Sequence, residues 1–333
     1  MTMALSRDRL VELLDAARGK RITVVGDAML DVYLSGEVER ISPEAPVPVV
    51  RVRERKHALG GAANVAQNVV AIGARCDLVA TVGQDRAGEL LRQTLHAAGV
   101  GSASLVAVSR CTTQKTRVLA RSQQLLRVDE EDDVDLEDAD AARVLDAVRA
   151  AVAESDAVVL EDYNKGVLVP AVIRAAIDAA TARLLPVVVD PKFRNFFAYR
   201  GATVFKPNRR ELEAALGAAV DVDHPDALPA TLERLGVQHI LLTLGDRGMA
   251  LFSGDGESAR VPTVAREVYD VVGAGDTVTA YLATILAAGG TVLEAAIIAN
   301  IAAGIEVSRL GAVSVPASDV LDFAERFDIP AAG

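Results

Sequence analysis

The chain has only two cysteines in 333 residues, Cys76 and Cys111, and no Cys-x-x-Cys pair. That excludes a disulfide framework and a thiolate metal cage, and both thiols are expected to be buried in a reducing, cytoplasmic setting. Histidine is scarce too: His57, His96, His224 and His239 are scattered without ligand spacing, which argues against a structural zinc. No uncharged run is long enough to span a bilayer. The longest, residues 277–293, falls short of the required length of about 20 and is broken by Gly289-Gly290, so a buried core helix is predicted there. Residues 1–20 place charged and apolar residues at helical spacing with no apolar centre, which predicts an ordinary first helix rather than a secretion signal. Positive charge is also in deficit. With 46 acidic against 35 basic side chains and a net charge of -11, the chain is unsuited to a polyanion such as DNA or RNA. A small anion held by local Lys, Arg and backbone N–H groups stays compatible.

Three phosphate-handling signatures are missing: the G-x-x-x-x-G-K-[ST] loop, a G-x-G-x-x-G after the first strand, and an H-R-D loop. Any phosphate chemistry must use another architecture. About half of the residues are apolar, 51%, enough for a large core in one domain spanning residues 1–333. Short β-branched runs at 21–25, 77–81, 157–160, 186–189, 202–205 and 239–243 alternate with Ala-rich amphipathic stretches. That rhythm predicts a three-layer α/β/α domain with a mostly parallel sheet, whose ligands gather beyond the carboxyl ends of the strands. Several of these runs end in polar residues, among them Asp27, Asp162, Asp190 and Lys192, and Asn208. Two segments break the rhythm, about 33–57 and 105–128, and read as antiparallel strands of a small lid, an edge hairpin or a dimer strand. The acidic run 130–140 reads as a solvated linker.

The candidate chemistry lies in glycine-rich helix entries. Gly273-Ala274-Gly275-Asp276 precedes an Ala/Leu/Ile-rich helix, so unpaired N–H groups can receive an anion while Asp276 takes a proton from a substrate hydroxyl. Asp276 as a plain helix cap is the competing reading. Gly60-Gly61-Ala62-Ala63-Asn64 opens another helix, where paired glycines admit a ligand and Asn64 can bond a sugar hydroxyl, or where the helix merely needs a flexible entry. Asp27 and Asp31 flank the first strand and can accept bonds from a polyol, although Asp27 can also cap a turn. Asn208 and Glu211 either hold a hydrated magnesium ion or form a helix-start capping pair. Residues 243–248, with Thr243, Gly245 and Gly248, either line a nucleotide pocket or make a tight hairpin.

Taken together and in this order, the two glycine motifs with Asn208 and Glu211 between them resemble the ribokinase-like carbohydrate kinase family over essentially the whole chain. Within it, Arg40-Ile41-Ser42-Pro43-Glu44-Ala45-Pro46, Gln123-Gln124-Leu125-Leu126-Arg127, Asp162-Tyr163-Asn164-Lys165-Gly166 and Asp190-Pro191-Lys192 are similar to the branch acting on D-glycero-D-manno-heptose 7-phosphate. The resemblance implies ATP- and Mg²⁺-dependent transfer of the γ-phosphate to the anomeric hydroxyl, giving the 1,7-bisphosphate for lipopolysaccharide core heptose. It implies Asp276 as base, residues 273–276 as the anion hole, and Asn208, Glu211, Lys192, Thr243, Gly245, Gly248 and Asn300 on the nucleotide side. Glu211 and Asp190 would serve the metal. The sugar phosphate would meet Asp27, Asp31, Gly60, Gly61, Asn64 and Asp162, with Lys115, Arg117 or Lys165 pairing its distal phosphate. A homodimer through the lid strands is also expected. Relatives often carry a fused nucleotidyltransferase domain; this sequence ends at Gly333, so nucleotide activation is expected of another protein. Val272 stands where members often have Thr, which leaves a monovalent-cation requirement open. Another ribokinase-like kinase, for ribose, fructose phosphate or adenosine, and a non-catalytic sugar-phosphate sensor are the rival readings.

Overall fold

A computed structural model describes every residue except 1–4, 122, 224–227, 266, 310, 328, 330–331 and 333. His224 and the first residues of the predicted N-terminal helix lie outside the described residues. Helix α1 (Arg7–Ala17) leads into β1 (Arg21–Gly26), and then β2 (Ala28–Ile41) and β3 (Pro48–Gly61) form a long hairpin. Next come α2 (Ala62–Ile72), β4 (Arg75–Gly83), α3 (Arg86–Ala97) and β5 (Leu105–Val108), followed by a second hairpin, β6 (Gln114–Ala120) and β7 (Gln123–Glu130). The chain continues through α4 (Asp138–Val152), β8 (Ala157–Glu161), α5 (Pro170–Ala182), β9 (Val187–Asp190), β10 (Val204–Phe205), α6 (Arg209–Leu216), α7 (Leu228–Leu235) and β11 (His239–Thr243). It closes with β12 (Met249–Ser253), β13 (Ser258–Val261), α8 (Ala274–Ala287), α9 (Val292–Glu306) and α10 (Ala317–Arg326).

Nine strands make the main sheet in the order β13-β12-β11-β10-β9-β8-β1-β4-β5. From β11 to β5 every neighbouring pair is parallel, and only β12 and β13 run antiparallel at the edge. The inner parallel strands β1, β8, β9 and β10 are buried on both faces, as parallel strands under crossover helices must be. Alternate residues of one strand therefore feed different cores: Val24, Val159, Val188 and Val204 join the cluster under α1, α2, α8 and α9, whereas Val25, Val158, Val189 and Phe205 join the one under α4 and α5. Helix α8 is buried on almost every side from Asp276 to Ile285, the condition of a core helix rather than an amphipathic surface one. Residues 277–293 were expected to form one such helix. Gly289-Gly290 instead separates α8 from α9, which begins with a Thr291/Glu294 capping box.

The second sheet, β3-β2-β6-β7, stands where the lid was expected. Its strands begin at Ala28 and end at Glu130, so the two insertions are shifted from the expected 33–57 and 105–128. Residues 105–108 belong to the main sheet instead, because β5 pairs in parallel with β4. Two further readings need correction. Cys111 is exposed, unlike Cys76, because it lies between the end of β5 and the lid rather than in a strand. The acidic run is not merely solvated: Glu131 accepts ion pairs from Lys115 and Lys165, each at 2.7 Å. Among the described residues no helix is long and apolar enough to cross a membrane.

Candidate active site

The site floor follows from the two-residue period of the strands. Glu161 and Asp190 are register partners at the ends of β8 and β9. Each continues the face that carries Val159 and Val188, and Lys206, just past β10, continues the face of Val204. Lys206 Nζ donates to Asp190 Oδ2 at 2.8 Å in a pair that is almost fully buried. Over this floor α8 begins at Gly273, whose φ of +94° is left-handed, and where a Cβ would collide with the Glu306 carboxyl. Only glycine suits that position.

The first turn of α8 delivers Asp276, 5% exposed. Asn64, from the start of α2, donates to Asp276 Oδ2 at 2.7 Å, and Tyr163, from the loop after β8, donates its hydroxyl to Oδ1 at 2.8 Å. Burial pushes the Asp276 carboxyl up to about 6, while the two donors pull in the opposite direction. Such a group is ionised at neutral pH yet basic enough to take a proton, which suits general-base work. Asn68 braces the arrangement: its amide donates to Asn64 O, and its Oδ1 accepts from Thr277 Oγ1 and Val315 N. α2 and α8 are thereby locked together behind the carboxylate.

Two cavities meet here. One, of about 300 Å³, is lined by Asp276, Gly273, Asp190, Lys206, Lys192 and Glu211. The other, of about 400 Å³ and largely apolar, is lined by Gly245, Gly248, Ala274, Asn300, Gly304 and Val307. They share Asn208, Thr243, Val271 and Gly275. All of the residues expected on the nucleotide side thus line one continuous space, apolar at one end and charged at the end that holds Asp276. Glu211 fulfils its capping reading, forming the capping box with Asn208, and it also accepts from Lys192 Nζ at 2.6 Å on the cavity wall. Burial opposes charge on Lys192, but Asp190 and Glu211 outweigh it and raise its pKa. Gly245–Arg247 is a 3₁₀ turn joining antiparallel β11 and β12, so that segment is a hairpin and a cavity wall at once.

On the sugar side the structure separates two groups of expected residues. Asp27 is taken up by the backbone, accepting N–H bonds from Tyr163, Lys165 and Val167, so it shapes the loop after β8 rather than facing a polyol. Asp162 likewise accepts from Asn164 N and Tyr199 Oη. Asp31, Gly60, Gly61 and Asn64 do converge: a Cβ at 60 would stand 2.9 Å from Asp31 Oδ2, and one at 61 would stand 3.4 Å from the Tyr163 ring. Arg117 donates to Asp31 Oδ1 at 2.6 Å, and Lys115 and Lys165 meet at Glu131. These three cations therefore already face carboxylates.

Glu161, Tyr163, Lys206 and Glu306 are absent from the expected set of site residues. A signal existed for Glu161 and Lys206, since counting by twos from Val159 and Val204 puts charge on a core face. Glu306 offered none and Tyr163 none beyond its place in the string 162–166, because only the packing of distant segments brings them to Asp276 and Gly273.

A family model described as "pfkB family carbohydrate kinase" matches residues 20–318. The chain belongs to the pfkB family of carbohydrate kinases. That is the family expected from the sequence. It is 45% identical over 325 residues to the "Bifunctional protein HldE" of Rhodospirillum rubrum, covering 97% of this chain and 66% of that protein. It is 47% identical over 317 residues to the protein of the same name from Caulobacter vibrioides, covering 94% and 65%. The chain thus spans about two thirds of the length of these relatives. Solved structures with the same fold include Arabidopsis thaliana ribokinase complexed with ribose and ATP, at TM-score 0.71 and 22% identity over 91% of this chain and 98% of that one. Another is the tetrameric inhibited form of phosphofructokinase-2 from Escherichia coli, at TM-score 0.75 and 17% identity over 92% and 99%.

Proposed function

We propose that the chain phosphorylates the anomeric hydroxyl of D-glycero-D-manno-heptose 7-phosphate, yielding the 1,7-bisphosphate in the cytoplasm for lipopolysaccharide core synthesis. The reading is carried by Asp276, held between Asn64 and Tyr163 where the apolar and charged cavities join. Asp276 accepts the proton of the acceptor hydroxyl. The N–H groups at residues 273–276 receive the charge of the moving phosphoryl group, helped by the field of α8. Lys192 and Lys206 neutralise phosphate oxygens from the cavity wall. Glu211 is placed to hold a hydrated Mg²⁺, a hard ion whose contribution is to screen the triphosphate charge. Lys115, Arg117 and Lys165 exchange their present carboxylate partners for the distal phosphate, since a dianion in a closed pocket must be paired. The heptose assignment is further supported by the 45% and 47% identities to proteins named HldE.

The chain pairs with a second copy through the lid. Val38, Val52, Leu126 and Val128 are exposed there, and the register sets Val118 beside Leu126 and Val38 beside Val50, a pattern that another apolar sheet face would cover. A coupled assay offering heptose 7-phosphate beside ribose, fructose 6-phosphate and adenosine tests the substrate. Preferred use of the heptose is expected; equal or better turnover of a rival acceptor overturns the assignment.

A further inference from the structure

Glu306 is an acid beside the candidate site that the proposed reaction leaves unused. It is the last residue of α9, 1% exposed, and neither of its carboxyl oxygens has a hydrogen-bond partner. As a carboxylate it would be an uncompensated buried charge, far less stable there than the neutral acid. Its own helix works the same way, because the C-terminal end of α9 is the negative pole. The charged groups that bear on it also repel an anion: Asp276 from the first turn of α8 and Asp270 from the loop before it. Arg309, the next cation along the chain, is bonded to Asp319 instead. Burial is the largest influence and pushes the Glu306 carboxyl up to about 8. The Thr277 hydroxyl and the Val313 N–H pull it down, although that hydroxyl donates to Asn68, and Asp276 and Asp270 push it up.

Its place gives the acid a use. A Cβ at residue 273 would collide with Glu306 Oε1 and stand 3.1 Å from Asn64 Nδ2. The carboxyl therefore backs directly onto Gly273, where the N–H groups of the first turn of α8 begin to converge. A negative charge behind them would answer the positive pole of α8 and leave less of it for an incoming phosphate.

We propose that Glu306 is a positioning residue that works as a neutral acid, its bound proton keeping a second negative charge away from the N–H cradle at residues 273–276. The field of α8 then acts on the phosphoryl group alone. As pH rises the proton leaves, the cradle faces a carboxylate, and transfer slows. Two neighbouring carboxyls thus hold opposite states at neutral pH, Asp276 ionised to accept a proton and Glu306 protonated. The inference rests on phosphoryl transfer at Asp276 but not on the heptose, so its test uses whichever acceptor the panel shows to be turned over.

Glu306→Gln keeps the shape of the side chain and is neutral at every pH. Turnover of the parent should fall about tenfold between pH 7 and pH 9, whereas Glu306→Gln should match the parent within about twofold at pH 7 and stay level to pH 9. Lys192 and Lys206 keep their charge over this range, because their carboxylate neighbours outweigh burial and raise both. A second readout needs no turnover. Glu306 binds its proton more tightly in the folded chain than in the unfolded one, so the parent loses stability relative to Glu306→Gln as pH rises from the ordinary value of 4.5 through about 8. The gap between their melting temperatures should widen over that window and level off above it. Should Glu306→Gln fail to fold, Glu306→Met must give both results. A slow neutral variant at pH 7, an alkaline limb that survives in it, or a gap that ignores pH overturns the proposal. Absence of turnover with every acceptor fails the kinase reading itself, whereas an active parent whose alkaline limb survives in Glu306→Gln fails this proposal alone.

Discussion

In β8 all five residues are buried, whereas in β7 all eight are exposed. Both are strands of one chain, yet the first is a floor and the second part of a lid. The floor is covered on both faces and its charged groups sit in low dielectric, where a missing partner is costly. The lid has one sheet, long hairpins and ion pairs open to water, such as Arg53 with Glu37 at 3.0 Å. A fixed base belongs where its partners are buried, as Asp276 is over the floor; we propose that selection of a substrate, which needs opening and closing, falls to the lid.

The contrast can be broken from the floor first. Asp276→Asn should lower turnover by roughly 10² to 10⁴ with fold and ATP binding retained, the usual worth of general acid-base catalysis. Steady-state kinetics beside circular dichroism checks it, and near-normal turnover removes Asp276 as the base. Lys206→Met strands Asp190 as an unpaired buried carboxylate and should destabilise the chain by about 3–5 kcal/mol in denaturant titration. A loss below about 1 kcal/mol would show that Asp190 is not held charged by Lys206.

Tyr163→Phe sharpens the comparison without large damage. The phenol donates to Asp276 and favours the ionised carboxylate. Without that donor the folded carboxyl binds its proton more tightly. The acid limb of the rate profile should therefore move to higher pH, with activity lost earlier as pH falls and unchanged well above the limb. A shift to lower pH, or none, contradicts the donor role.

The lid should respond differently. Leu126→Asp places a charge on its exposed apolar face and should shift the chain toward monomer in light scattering, while single-chain stability changes by less than about 0.5 kcal/mol. An unchanged oligomeric state puts the contact elsewhere. Smallest of all, Arg53→Ala removes an ion pair whose partners are both more than half exposed and should alter stability by no more than about 0.5 kcal/mol. A larger loss would mean that the lid is not the loosely held layer its exposure describes.

The fold was legible because its signals are local. The β-branched runs became β1, β4, β8, β9, β10 and β11 within one or two residues at most of their ends, since parallel strands under two helix layers leave little room for polar interruption. The cavity lining was legible for a related reason: Asn208, Thr243, Gly245 and Gly275 sit at strand ends and helix starts, where the parallel topology gathers ligands. Asp27 and Asp162 misled because a carboxylate at a strand end bonds backbone N–H groups as readily as sugar hydroxyls. Nothing local distinguishes the two uses.

Chain order alone determined an α/β fold of the pfkB carbohydrate kinase family, with a glycine-entered α8, a carboxylate in its first turn and a second small sheet built from two segments. Only the tertiary structure decided that Asn64 and Tyr163 clamp that carboxylate, that Lys115 and Lys165 converge on Glu131, and that Glu161 lies unpartnered beside Asp190. The reason is one of range. Helix entries and strand periods are set by residues a few positions apart, whereas the hydrogen-bond partners named here lie 16 to 212 residues apart and meet only when the two cores close.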